Sequence, residues 1–235
     1  MSHISPDQEI LWQWGFLRID NTIAFTWIVM AFMVITSWLI TRRFSPQTRI
    51  SRWQHLVEII VQFTRDQIRE VARRDPDPYL PFIGSLFLFI AISNLLTVVP
   101  FFVSPTASLS TTAGLAICVF FAVPIFSIFE AGLIPYLRHY IKPSPVMLPF
   151  NLIGELSRTL ALAVRLFGNM MSGAKIGAIL LSITPYFLPV VMNLLGLLTG
   201  MIQAYIFAIL AMVYIASGAR TQHQQELELE SEQHG

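Results

Sequence analysis

Five apolar stretches decide what this chain can fold into, because each is about as long as a bilayer is thick or longer. They cover about residues 23–40, 80–103, 111–137, 152–184 and 186–217. A membrane-spanning helix needs roughly 20 apolar residues. Only 12% of the 235 residues are charged, against about 25% in a soluble domain. The sequence therefore predicts an all-α polytopic membrane protein, a single membrane domain with about five membrane-crossing helices.

The last two stretches, which together cover residues 152–217, are too long for a perpendicular crossing. A helix rises 1.5 Å per residue, so helices of this length must tilt strongly or lie partly along the membrane plane. Thr184-Pro185 lies between them and favours a tight connection. We expect the two helices to form a long tilted hairpin.

Residues 53–74 follow a different pattern, in which apolar residues recur at helical spacing and charged residues fill the positions between them. The apolar set comprises Leu56, Ile59, Ile60, Phe63, Ile68 and Val71. This pattern predicts an amphipathic helix on the membrane surface. A solvated helix packed on a partner subunit is the alternative.

Lysine and arginine are distributed unequally between the two sides of the predicted spans. Residues 42–81 carry eight arginines and the 138–149 link carries two more basic residues, whereas Arg18 is the one basic residue on the opposite side. By the positive-inside rule, the N-terminal segment 1–22 lies outside. The C-terminal acidic tail 218–235 lies in the cytoplasm, and its residues 222–235 are expected to be disordered.

The stretch from Glu155 to Gly177 is apolar enough for a bilayer and yet carries Glu155, Arg158, Arg165 and Lys175. A guanidinium stays charged at physiological pH, and an arginine at membrane depth costs between ~2.5 and ~17 kcal/mol. Arg165 has no acidic residue three or four positions away, which favours a functional role. Arg158 has Glu155 three residues before it, so a structural ion pair explains it equally well.

Helical geometry aligns these polar residues. Arg158, Arg165 and Ser172 fall within about 20° of one line, and Asn169 lies one turn from Arg165. Such a stripe suits electrostatic gating of an ion carrier on a partner: its carboxylate would release its ion near Arg165 and pair with it briefly, while the fixed charge bars cations from leaking through. Other polar residues would line water-filled routes; the candidates are Asn94, Glu130, Asn169, Lys175, Asn193 and Gln203. For Asn94 and Asn193 an interhelical hydrogen bond is the favoured role.

Several function classes are excluded by composition. The net charge of +1 gives no reason to expect a nucleic-acid partner, Cys118 is the single cysteine, and no histidine lies in an apolar run. We therefore predict no metal site, no cofactor and no catalytic residue. The main alternative of another class is a secondary transporter with an intramembrane Arg/Glu substrate site, although the chain shows no internal repeat.

One hexapeptide resembles a known signature. Arg165-Leu166-Phe167-Gly168-Asn169-Met170 closely resembles the RLFGNM motif of subunit a in the F-type ATP synthase membrane sector. The likeness covers nearly the whole chain, including a lead-in, a PTA turn and a QAFIF-like run in the last helix, which here are residues 149–158, Ser104-Pro105-Thr106-Ala107 and Gln203-Ala204-Tyr205-Ile206-Phe207.

The resemblance implies a function and partners. Arg165 would be the stator arginine facing a rotating ring of c subunits, with Asn169 and Gln203 beside it, and Glu130, Lys175, Glu155 and Arg158 as further candidates for ion translocation. Two half-channels would couple proton flow to ring rotation and to ATP synthesis in an attached catalytic head, so this chain would not itself be an enzyme. The implied partners are the c-ring, b-type peripheral stalk subunits, the other synthase subunits and the lipid of a bacterial plasma membrane.

Three positions depart from the pattern of many proton-driven members. Ser108 stands where an Asp often follows the PTA turn, Ala174 where a Glu often follows the arginine by nine residues, and Gly196 where a titratable residue often precedes the glutamine by seven. Glu130 could supply part of the missing function. These departures leave sodium open as the coupling ion, as in a sodium-driven relative or the N-type ATPases.

Overall fold

The computed structural model describes residues 10–14, 17–42, 52–72, 75–99, 102, 104–132, 147–183 and 187–233. Within these ranges the chain forms a two-stranded hairpin, six α-helices and two short 3-10 turns, Leu96–Val98 and Pro105–Ala107. The strands and helices are β1 Ile10–Trp14, β2 Leu17–Asp20, α1 Asn21–Arg42, α2 Arg52–Ala72, α3 Leu80–Leu95, α4 Leu109–Ala131, α5 Met147–Ile183 and α6 Leu188–Gln233.

Of the described helices, five are long and apolar enough to cross a membrane. Their spans are Thr22–Leu39, Leu80–Val98, Leu109–Phe129, Ile153–Ile183 and Val190–Ala216. The predicted fold class, an all-α polytopic membrane protein with five crossings, is confirmed. The tilt of the last two helices in a membrane stays a prediction.

The second predicted span, residues 80–103, extended too far. The helix α3 ends at Leu95 and passes into the 3-10 turn. Val99 is extended, with φ −75° and ψ 121°, as expected for a residue that precedes a proline. The Thr97 hydroxyl donates to the carbonyl of Asn94 at 2.6 Å, so a side chain completes the bonding where the regular helix stops.

The third predicted span, residues 111–137, was also too long. The helix α4 ends at Ala131, and Gly132 follows it with φ 88°. The Gly132 amide donates to the Ile128 carbonyl at 2.9 Å. A glycine with positive φ is a common helix terminator, because it adopts this conformation without a steric penalty. The remainder of the prediction, with the 138–146 part of the proline-rich link, lies outside the described residues.

The terminal segments differ from the expectation as well. The helix α5 begins at Met147 rather than near Leu152, and α6 continues to Gln233. The structure therefore corrects the expected disorder of the acidic tail, whose Gln, Glu and Leu residues are good helix formers. In the N-terminal segment the sequence predicted no strand, whereas β1 pairs antiparallel with β2, with Trp14 opposite Leu17.

The helices α3, α4, α5 and α6 pack around one apolar core. Its large, deeply buried members include Tyr79, Ile83, Ile90, Val119, Leu162, Leu166, Phe207, Met212 and Ile215. The helix α5 contributes least, since only 6% of its span is buried, against 33% for α6. Most of its surface is thus left for lipid or for a partner.

The amphipathic helix α2 packs against α3 and α6. It buries Thr64, Ile68 and Ala72, while charged residues such as Glu58 and Arg69 are exposed. The predicted helix is confirmed, because this burial repeats every four residues. Its location on a membrane surface stays a prediction.

Candidate functional site

Arg165 lies near the middle of the α5 span, on the face that the bundle leaves open. The opposite face buries Leu162, Ala163 and Leu166, and α5 contacts α4 and α6. Arg165 itself is exposed. Within the described part of the chain, no carboxylate forms an ion pair with its guanidinium. The helix therefore presents an uncompensated positive charge at the side of an apolar span.

The other members of the predicted polar stripe share this open face. Arg158 and Ser172 are exposed, as the alignment along one line of the helix predicts. The Cζ atom of Arg158 lies 6.0 Å from the centroid of the Tyr214 ring on α6, at the outer limit of a cation–π contact. Glu155 is half-buried, and its carbonyl accepts a hydrogen bond from the Thr159 hydroxyl at 3.0 Å.

Asn169 connects α5 to α6. Its Nδ2 donates to the carbonyl of Thr199 at 3.4 Å. Asn169 lies one helical turn beyond Arg165, so this bond ties the part of α5 that carries the arginine to the last helix.

Gly200 follows Thr199 and is the point at which three helices meet. Its carbonyl accepts a hydrogen bond from Asn94 Nδ2 on α3 at 2.7 Å. A Cβ atom at this position would lie 2.9 Å from Cε of Met170 on α5 and 3.0 Å from Cγ of Asn94. A side chain at this position would force Met170 and Asn94 to shift, because both contacts are shorter than van der Waals separation.

Gln203 lies three residues after Gly200, on a neighbouring part of the same α6 face. It is 6% exposed. Its Nε2 is buried and has no hydrogen-bond partner among the described residues. Buried amide donors are nearly always bonded, so the Gln203 amide is a candidate donor to a group other than the described residues.

Asn94 is the centre of a buried polar cluster at the end of α3. It is 1% exposed, and its Oδ1 accepts a hydrogen bond from the Thr106 hydroxyl at 3.3 Å. The hydroxyls of Thr106 and Ser104 are 2.8 Å apart, and the Ser104 hydroxyl donates to the Ser93 carbonyl at 3.4 Å. The favoured role of Asn94, an interhelical hydrogen bond, is confirmed. Asn193 is exposed, and no described residue bonds to it, so the same role for Asn193 stays a prediction.

Asn94→Leu is expected to destabilise the protein by about 1–3 kcal/mol, because it removes the donor to Gly200 and the acceptor of Thr106 from a buried site. The measurement is the midpoint temperature of unfolding of the detergent-solubilised protein. The exposed Asn193→Leu provides the control and should leave the midpoint unchanged. Equal midpoints for the two variants would contradict the assigned role of Asn94.

Two other predicted site residues lie apart from this group. Glu130 was expected inside the third span, but that span ends at Phe129 and α4 at Ala131. Glu130 is therefore in the last turn of the helix, and its side chain is outside the described part. Lys175 is exposed on α5, ten residues and thus about 15 Å along the helix from Arg165.

The three positions that depart from the family pattern hold no titratable side chain. Ser108 is buried and lies before α4, with its hydroxyl 2.7 Å from that of Ser110. Ala174 is exposed on α5, and Gly196 has open space where a Cβ would be. A hydroxyl, a methyl group and a hydrogen atom thus stand at positions 108, 174 and 196, where carboxyl or imidazole groups were expected.

The family of the chain is decided by comparison with known proteins. The sequence model of the family described as ATP synthase A chain matches residues 23–216. This chain belongs to that family. The match runs from α1 through the apolar part of α6 and includes Arg165, Asn169 and Gln203. It confirms the resemblance first indicated by the RLFGNM hexapeptide, and with the five spans it makes the chain a multi-pass membrane protein of the ATP synthase subunit a type.

Named relatives agree over almost their whole length. The chain is 57% identical over 229 residues to ATP synthase subunit a 2 of Acaryochloris marina, which covers 97% of this chain and 98% of the relative. It is 60% identical over 222 residues to ATP synthase subunit a 1 of Chlorobaculum parvum, with 94% and 98% covered. It is 59% identical over 217 residues to ATP synthase subunit a of Albidiferax ferrireducens, with 92% and 94% covered.

Sequence reasoning did not single out Gly200. Gly196 and Gly200 are four residues apart, a small-xxx-small spacing that is typical of close helix packing in membranes. That spacing could have indicated a helix contact, although it does not distinguish which of the two glycines is packed.

Proposed function

We propose that this chain is the stator ion-channel subunit of a rotary F-type ATP synthase, and that Arg165 couples ion translocation to rotation of a c-ring. The observation that carries this proposal is the position of Arg165: an exposed cation in the middle of an apolar span, with no ion-pair partner among the described residues. A charge placed there is costly, and a passing anionic partner offsets that cost.

The surroundings of Arg165 support a moving partner. Ala161 and Gly168, four residues before and three after the arginine, are its neighbours on the helix surface and are also exposed. These small residues leave room beside the guanidinium. A carboxylate on a c subunit would lose its ion as it approaches the arginine, pair with it, and take up an ion again on the far side.

The buried Gln203 and the partly buried Asn169 support the second part of the proposal, the two half-channels. Gln203 offers a buried donor, and Asn169 holds the arginine segment against α6. The fixed charge of Arg165 separates the two aqueous routes, because a cation crossing directly would have to pass it. The chain itself binds no nucleotide in this proposal, and its N-terminus lies outside and its C-terminus in the cytoplasm of a bacterial plasma membrane.

Purification of a tagged chain from its native membrane tests the partners. We expect a c-ring, b-type stalk subunits and the catalytic head to accompany it, with ATP hydrolysis driving ion uptake after reconstitution. A chain that purifies alone or as a homo-oligomer and transports a solute without ATP would support the secondary transporter instead.

We expect protons to be the coupling ion. In proteoliposomes that hold the whole complex, a protonophore should abolish the ATP-driven pH gradient, and omission of sodium should not slow uptake. Sodium is the second candidate, favoured by the neutral oxygens at Ser108 and the absence of a titratable group at Ala174 and Gly196. Uptake that requires sodium and continues in the presence of the protonophore would assign sodium and contradict the proton expectation.

A further inference from the structure

A side-chain contact joins the amphipathic helix α2 to α6 close to Gln203. The hydroxyl of Tyr205 donates to Oε1 of Gln67 at 2.5 Å. The Phe63 ring packs beside the Tyr205 ring, with centroids 6.2 Å apart. Thr64 and Ile68, on the adjoining part of α2, are buried. The tyrosine is therefore held by α2 through both a hydrogen bond and ring packing.

The helix α2 is itself fixed to the core. Ile68 belongs to the buried apolar cluster. Arg65 pairs with Asp77 at 2.9 Å, which ties α2 to the turn before α3. Because α2 is held in this way, a contact between α2 and α6 restrains α6 relative to the core.

Tyr205 and Gln203 occupy nearly opposite sides of α6. Two residues along a helix correspond to a rotation of about 200°. Gln203, Ala204 and Phe207 are buried, whereas Tyr205 is partly exposed against α2. A rotation of α6 about its axis that separates Tyr205 from Gln67 also turns Gln203 away from its position.

We propose that Tyr205 and Gln67 are positioning residues, which fix the rotation of α6 and so hold Gln203 in place for ion transfer. This inference rests on the proposed function of Arg165. Gln67 lies on α2, on the side of the basic loops, so the contact acts on ion exchange at the cytoplasmic side. A net hydrogen bond changes a conformational equilibrium by a factor of about two to ten, and the apparent affinity for an ion falls with the fraction of molecules that remain competent.

The test uses the intact complex in membrane vesicles of both orientations. The rate of ATP-driven transport or ATP synthesis is measured against the concentration of the coupling ion on one side at a time. Tyr205→Phe, which keeps the ring, should raise the half-saturating ion concentration on the cytoplasmic side about two- to tenfold, with the external side and the maximal rate little changed. Gln67→Leu should reproduce this shift. Gln67→Glu keeps an acceptor for the Tyr205 hydroxyl and should retain most of the affinity for the ion. The double variant Tyr205→Phe with Gln67→Leu should shift the half-saturating concentration no further than either single variant.

Gln62→Leu provides a matched control. Gln62 lies on α2 as well, but its Nε2 bonds to Asp66 of the same helix at 3.1 Å. If Tyr205→Phe behaves like Gln62→Leu while Arg165→Ala is inactive in the same vesicles, the positioning role is wrong and the stator proposal stands. Equal shifts on both sides, or additive effects of Tyr205→Phe and Gln67→Leu, would also overturn it. Full coupling in Arg165→Ala would instead contradict the proposed function.

Discussion

Arg165→Ala is expected to abolish both ATP-driven ion uptake and ion-driven ATP synthesis in a complex that still assembles. Removing one partner of a desolvated ion pair costs about 3–5 kcal/mol, which corresponds to a rate loss of roughly 100-fold or more. Assembly should persist because Arg165 is exposed, whereas Leu162 and Leu166 on the buried face of α5 are unchanged. Transport is measured in proteoliposomes, and assembly by the subunits that purify together.

Two further variants are compared with Arg165→Ala. Arg165→Lys keeps the charge but loses the planar fork that matches a carboxylate, so it should retain more coupling than alanine and less than the original protein. Arg69→Ala removes an exposed arginine of α2 outside the five spans and should transport normally. If coupled transport survives in Arg165→Ala, the arginine has a structural role and the stator assignment is wrong.

The position of Arg165 could be predicted because it follows from the residue itself. A charged side chain in an apolar helix must leave the apolar core, and the buried residues at 162, 163 and 166 fix which face is closed. The five spans could be predicted for a similar reason, since backbone groups in lipid must bond within a helix and the length of an apolar run sets the span.

The ends of the helices could not be predicted from apolar content. Apolar residues continue past Gly132, so composition alone extended α4 to residue 137. The structure ends the helix at a single glycine with positive φ. Apolar content indicates that a segment lies in an apolar environment. The backbone conformation of a single residue decides where the helix ends.

Contacts between distant helices could not be predicted from local patterns. Asn94 and Gly200 are 106 residues apart, and Gln67 and Tyr205 are 138 residues apart. Each pair depends on how two helices that are distant in the sequence are rotated and shifted relative to each other. Local sequence patterns do not determine that arrangement. For Asn94 the sequence indicated a bond to another helix, because a buried amide needs a partner, but not which helix provides it.

Gly200→Val is expected to prevent stable assembly, with Gly200→Ala intermediate. A Cβ atom at this position meets Met170 Cε at 2.9 Å and Asn94 Cγ at 3.0 Å. The methionine end can move, but Asn94 is held by its bonds to Gly200 and Thr106. Overpacking of this kind costs about 1–3 kcal/mol for small additions, and the two further methyl groups of valine add to that cost. The amount of chain in the purified complex and its midpoint temperature of dissociation measure the effect.

Gly196→Ala is the matched control, since Gly196 is one turn earlier on the same helix and has no atom within 4 Å of an added Cβ. Replacing this helical glycine should be neutral or stabilise the helix by about 0.5–1 kcal/mol. If Gly200→Ala were as stable as Gly196→Ala, α3 and α6 would have to separate without loss, and the junction would not hold the bundle together. A midpoint lowered only in Gly200→Ala, together with the loss of the valine variant, would show that the close approach of α3, α5 and α6 at this glycine stabilises the bundle.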